Sequence, residues 1–258
     1  MNVRETPRAL ARAVEWEFAQ STYAPVLADV PATLFTCWAQ TAHQEFPGIP
    51  RDASFYAQAA EGLMMFFDCV SAAGRSCALP SRAADSVWHA WMHMDPAGLE
   101  RFCIRHFGRS IPHVEKASMG ESMGRALAVC LVQARRRASK PAAGPDLPRL
   151  FTLDARLGMP RGFGYGSVGG VVSCSTLDDL GYPEGRPRFP RELAPQGLLL
   201  AGLISEAEYA AACPPAHGAG SGSGNGVALD GDSGSGDGAA SCSGGSACGG
   251  CGGGGCGS

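Results

Sequence analysis

The chain has 258 residues, 45% of them hydrophobic, with 21 Lys and Arg against 24 Asp and Glu. That length holds one domain or two small ones, and so even a charge balance lacks the basic footprint that nucleic acid selects. No apolar run reaches the length of a membrane span, and Arg4, Glu5, Arg8, Arg12 and Glu15 break up any signal-peptide core, so the expectation is a cytoplasmic protein with reduced thiols and no membrane contact.

Taken in order, Thr6 to Gln20 reads as an amphipathic helix, with Pro7 at its start and Leu10, Val14 and Phe18 at four-residue spacing. Pro31 to Phe46 is a second, ended by Pro47-Gly48-Ile49-Pro50. Asp52 caps a third, Ala53 to Ala73, whose core face uses Phe55, Ala59, Leu63, Phe66 and Phe67; Gly74 closes it. Ser81 caps a fourth that runs to Met94. Asp95-Pro96 starts a fifth, where Leu99, Phe102, Cys103, His106 and Phe107 recur at helical spacing up to Gly108. Ser122 to Ala138 is a sixth, with Leu127, Val129, Cys130 and Leu131 buried and arginines at its C-terminal end, where they suit the macrodipole. Lys140 to Pro148 is loop, and Leu150 to Leu157 a short helix stopped by Gly158. Arg161 to Pro190 is Gly/Pro-rich and irregular, with one short strand at Val171–Ser173. A last helix runs from the Ser205 cap to Ala212, with Glu208 completing a capping box.

The fold class expected is therefore all-α: a single helical domain over residues 1–212 with one irregular segment. Residues 213–258 hold half of the 36 glycines and no Lys or Arg. They lack the apolar surface to offset chain entropy, and the expectation is a disordered Gly/Ser/Cys-rich tail.

The stretch Asp85 to His113 holds four of the six histidines. Asp85, His89 and His93 are spaced i, i+4, i+8 along one helix face. If the two helices here pack as a pair, His89 faces Cys103, and His113 returns from the loop that follows. The expected polar pocket is Asp85, Trp88, His89, Cys103 and His113. Imidazole and thiolate suit zinc, which makes His89, Cys103 and His113 the candidate ligands. Against this, the stretch lacks a tight ligand spacing such as His-Glu-x-x-His, and a buried Cys is commonly a small hydrophobe.

Asp85-x-x-Trp88-His89, Phe102-Cys103, Phe107-Gly108 and His113 together resemble the glycine-rich domain-containing protein family. Leu150 to Pro160 with Gly162-Phe163 is similar to a second block of that family, as is the Gly/Cys tail. The resemblance implies no particular activity. Trp91 and Pro112 stand where relatives carry further histidines, which speaks against a metal.

Other motifs carry less. Gly120-Glu121-Ser122-Met123-Gly124 matches a nucleophile elbow, with Asp154 or Asp178 and then His217 in the order of a serine hydrolase, but no strand precedes the serine. Gly164 to Gly169 matches a dinucleotide fingerprint without its strand and helix, so it reads as a loop. Cys248-Gly-Gly-Cys251 lacks the second CxxC of a zinc ribbon. The first expectation is a non-catalytic cytoplasmic binding or scaffold protein with no cofactor, whose partner is a protein or a small molecule. The alternatives are a zinc-dependent enzyme using the same pocket, a serine hydrolase through Ser122, and a Gly/Cys tail that is the substrate of peptide modification.

Overall fold

The structure, a computed structural model, describes residues 7–113 and 122–214. The tail, its CxxC and His217 lie outside these residues, as do residues 114–121 ahead of Ser122. The helices are α1 (Pro7–Ala19), α2 (Ala24–Leu27), α3 (Ala32–Glu45), α4 (Ala53–Ala73), α5 (Arg82–Met94), α6 (Pro96–Phe107), α7 (Ser122–Arg137) and α8 (Leu153–Leu157). The strands β1 (Phe163–Val168), β2 (Val171–Leu177) and β3 (Pro183–Arg188) follow. A 3-10 turn at Arg191–Leu193, α9 (Pro195–Leu200) and α10 (Glu206–Ala212) end the described chain.

The long helix α4 is the centre of the packing. Asp52 accepts the Phe55 N–H at 2.8 Å, and Gly74 takes the left-handed conformation (φ 59°) that ends a helix. Between these caps the helix is buried on nearly every side, through Tyr56, Ala60 and Met64 as well as Phe55, Ala59, Leu63 and Phe67. A helix apolar all round belongs inside a protein, and α1, α5 and α7 pack against it. At Gly62 an added Cβ would sit 2.3 Å from the Leu153 side chain, so α4 and α8 approach more closely than an alanine allows unless Leu153 moves.

Helix α5 is fixed at two points. The buried Trp38 indole of α3 donates to Ser86 Oγ at 2.9 Å, and that hydroxyl donates to the Ala83 carbonyl. At its N-terminus the carboxylate of Asp154 (1% exposed) accepts from Ser81 Oγ at 2.6 Å, Arg82 N at 2.9 Å, Ala83 N at 3.0 Å and Phe163 N at 2.9 Å. Burial pushes this carboxyl above the usual carboxylate range, and the four hydrogen bonds oppose the shift. One side chain thus ties together α5, α8 and β1.

The fold is mixed α and β, which corrects the all-α expectation. The Arg161–Pro190 segment forms a three-stranded antiparallel sheet in the order β1-β2-β3. Gly169 and Gly170, with φ of 57° and 81°, make the two-residue turn that joins β1 to β2. Gly164 to Gly169 is therefore strand β1 and the start of its turn, not a loop. The sheet packs inward through Val172 and Leu177 and through Tyr165, whose ring meets Phe151 edge-on at 5.0 Å. Strand β3 is exposed along its length and carries two prolines, which an edge strand tolerates. The capping box at Ser205 and Glu208 is formed.

Candidate metal centre

Asp85 and His89 stand one turn apart on the outer, half-buried face of α5. His113 arrives from the other direction. After Gly108 turns the chain at the end of α6, Ile111 anchors the following segment in the core and presents His113 to α5. His113 Nε2 lies 3.1 Å from Asp85 Oδ1, and His89 Nε2 lies 3.7 Å from the same oxygen. The two imidazoles meet edge to face with centroids 4.8 Å apart. One donor atom from each of Asp85, His89 and His113 lies within 4.8 Å of the others. Ligands at zinc–nitrogen and zinc–oxygen distances near 2.0 Å on a tetrahedron are about 3.3 Å apart, so the measured spacings bracket that value.

The surroundings hold this group in place. Glu45, the last residue of α3, puts Oε2 at 2.5 Å from His89 Nδ1, the ring nitrogen facing away from Asp85. Its other oxygen is 3.6 Å from His93 Nδ1. Phe46 meets the His89 ring edge-on at 5.7 Å. Beneath lies Trp88, packed on Phe66 and Phe67 and meeting His113 edge-on at 4.6 Å. Trp88 thus forms the floor, and its indole nitrogen has no hydrogen-bond partner among the described residues.

Of the residues expected from sequence, the structure brings together Asp85, Trp88, His89 and His113. It leaves out Cys103, which is 1% exposed among the apolar residues of the core. Burial, with a smaller effect of the Glu100 charge, pushes that thiol up to about 12. A zinc-binding sulfur must give up its proton, and this environment opposes the loss. Glu45 and the cation Arg82 were missed. Glu45 has no local signal, since it is 44 positions from His89 and joins it only because α3 packs on α5, whereas Arg82 shares the helix face of Asp85 and His89.

The serine hydrolase constellation is not assembled from the described parts. The Asp154 carboxylate serves α5 and β1 as above, and Asp178 Oδ1 closes the turn before β3 through Leu180 N and Tyr182 N. No helix among the described residues is long and apolar enough to cross a membrane.

No curated protein and no solved structure matches the chain. A family model described as UCP032817-like matches residues 39–177. This replaces the resemblance to the glycine-rich domain-containing family. The Trp-His, Phe-Cys and Phe-Gly blocks that carried it lie inside the matched stretch, and the Gly/Cys tail lies outside it. Short blocks and a glycine-rich composition made the likeness, and a low-complexity tail recurs in unrelated proteins. The matched stretch covers more than half of the 258 residues and includes Glu45, Asp85, His89, His113 and Asp154, and the chain belongs to the UCP032817-like family.

Proposed function

We propose that this protein binds one divalent metal ion, zinc by preference, through Asp85, His89 and His113. The observation that carries the reading is the pairing of Glu45 with His89 Nδ1 at 2.5 Å. A histidine that ligates through one nitrogen characteristically donates the other N–H to a carboxylate, which sets the tautomer and strengthens the ligating lone pair. Two nitrogens and one carboxylate oxygen form a donor set of the kind zinc accepts, and three protein ligands leave a position for water or a substrate. A metal held by these residues would supply Lewis-acid chemistry, activating water or polarising a carbonyl or phosphoryl oxygen. The seven cysteines of the described residues are unpaired thiols, which suits the reducing cytoplasm.

A second reading is a metal-free binding protein in which the His89 ring is held between Glu45 and Asp85. The approach of both carboxylates to one ring supports it. Elemental analysis separates the two. It requires the full-length chain with Cys242, Cys248, Cys251 and Cys256 changed to serine, so that no tail thiol contributes. After equilibration with zinc and gel filtration, the expected content approaches one equivalent, and His89→Ala and His113→Ala each lose most of it. Content well below one equivalent, or content unchanged in both variants, rejects the metal reading in favour of the second.

A further inference from the structure

Arg82 opens α5 and lies three residues before Asp85 and seven before His89, on the same helix face. Its guanidinium carbon sits 5.2 Å above the centre of the Phe46 ring, and Phe46 in turn meets the His89 ring. An arginine at this spacing ordinarily pairs with the aspartate one turn on. Here Asp85 turns its oxygen to His113 and His89 instead. Among the described residues Arg82 forms no ion pair, and its buried Nε has no hydrogen-bond partner. Asp154 binds the Arg82 backbone N–H and leaves the side chain alone.

From this we infer that the metal centre takes an oxyanion, a phosphate or carboxylate group, with Arg82 as its second point of attachment. The inference rests on the metal reading above. Charge supports it: the carboxylates of Glu45 and Asp85 balance a divalent ion, and Arg82 then leaves one positive charge uncompensated. Geometry supports it as well. The guanidinium is a planar fork that matches the oxygens of phosphate and carboxylate, and it lies over Phe46, whose ring meets that of His89. A neutral ligand would leave both the charge and the Nε donor unanswered at a site partly shielded from water, where each costs most.

The test uses the full-length chain with the four tail cysteines changed to serine, loaded with cobalt(II), whose visible spectrum reports its ligands. Inorganic phosphate is titrated in, and acetate separately. The expected result is a saturable spectral change with at least one of the two, which also tells which oxyanion is preferred. Arg82→Gln keeps the backbone N–H that Asp154 binds, so it should show the wild-type cobalt spectrum before anion is added and need about ten-fold more anion for the same change, the worth of one charge-assisted hydrogen bond. Arg82→Lys, which keeps the charge and loses the fork, should fall between, and it decides the matter if the glutamine variant does not fold. No spectral change with either anion, or midpoints equal to wild type in the folded variants, overturns the inference while leaving the metal reading intact. Failure to take up cobalt before any anion is added removes the metal reading, and this inference with it.

Discussion

Glu45 and His89 face each other across the packing of α3 on α5, with Oε2 2.5 Å from Nδ1. The carboxylate belongs to a different helix from the imidazole, so the orientation of the ring depends on how two helices dock. Glu45→Gln keeps the length and a carbonyl acceptor but removes the charge. It should weaken zinc binding roughly 10–100-fold, the usual effect of losing a carboxylate behind a ligating histidine. Competition against a chromophoric chelator measures this. An affinity equal to wild type would show that Glu45 has no part in holding the ring.

The buried Asp154 carboxylate predicts a large effect from a small change. Each of its oxygens accepts at least one backbone N–H. In Asp154→Asn one of those oxygens becomes an NH2 that faces donors, whichever way the amide turns. Buried donors left unsatisfied cost about 1–3 kcal/mol each, so the variant should lose roughly 2–6 kcal/mol in urea unfolding. A near-native midpoint would mean that water reaches these groups.

Cys103 predicts a pH dependence. Burial moves its thiol from the ordinary 9.0 to about 12 in the folded chain. As pH rises above 9.0 the unfolded chain releases this proton first, so the folded state binds more protons and stability falls through the window from 9.0 to about 12. Below that window the effect vanishes. Cys103→Ala should show a shallower decline than wild type when urea midpoints are compared below and within the window. Equal slopes would show that the thiol titrates in the folded protein as it does in the unfolded one.

The longer helices were readable where they carry their own punctuation, while the short α2 and α9, which lack a capping side chain, were not expected. Asp52 and Gly74 bracket α4, and Asp95-Pro96 and Gly108 bracket α6. Of the sheet only the start of β2, Val171–Ser173, was legible; β1 and β3 were hidden because they carry little of the alternating β-branched pattern. Phe163–Val168 is half glycine and serine, and Pro183–Arg188 has no apolar face to bury. Gly169-Gly170 was the one hairpin signal, and it was masked by the surrounding glycines. In the site, Asp85 and His89 were legible as neighbours because helical spacing is local. Cys103 was misplaced relative to His89 because spacing along α6 does not say which face meets α5. Glu45 joins the site only through the packing of α3 on α5, which no local pattern records.

The clasp at the start of α5 has a consequence for the order of assembly. Ser81 and Asp154 are separated by 73 positions, and the Phe163 amide that shares the carboxylate comes later still. During synthesis, the segment bearing Asp85, His89 and His113 emerges well before the residue that secures its leading turn. Contacts this distant in sequence form late in folding, since the closure of a long loop must precede them. A nascent chain stopped short of Asp154 would hold Asp85 and His89 on an unclasped helix, so full metal affinity should arise only once the first sheet strand has been made.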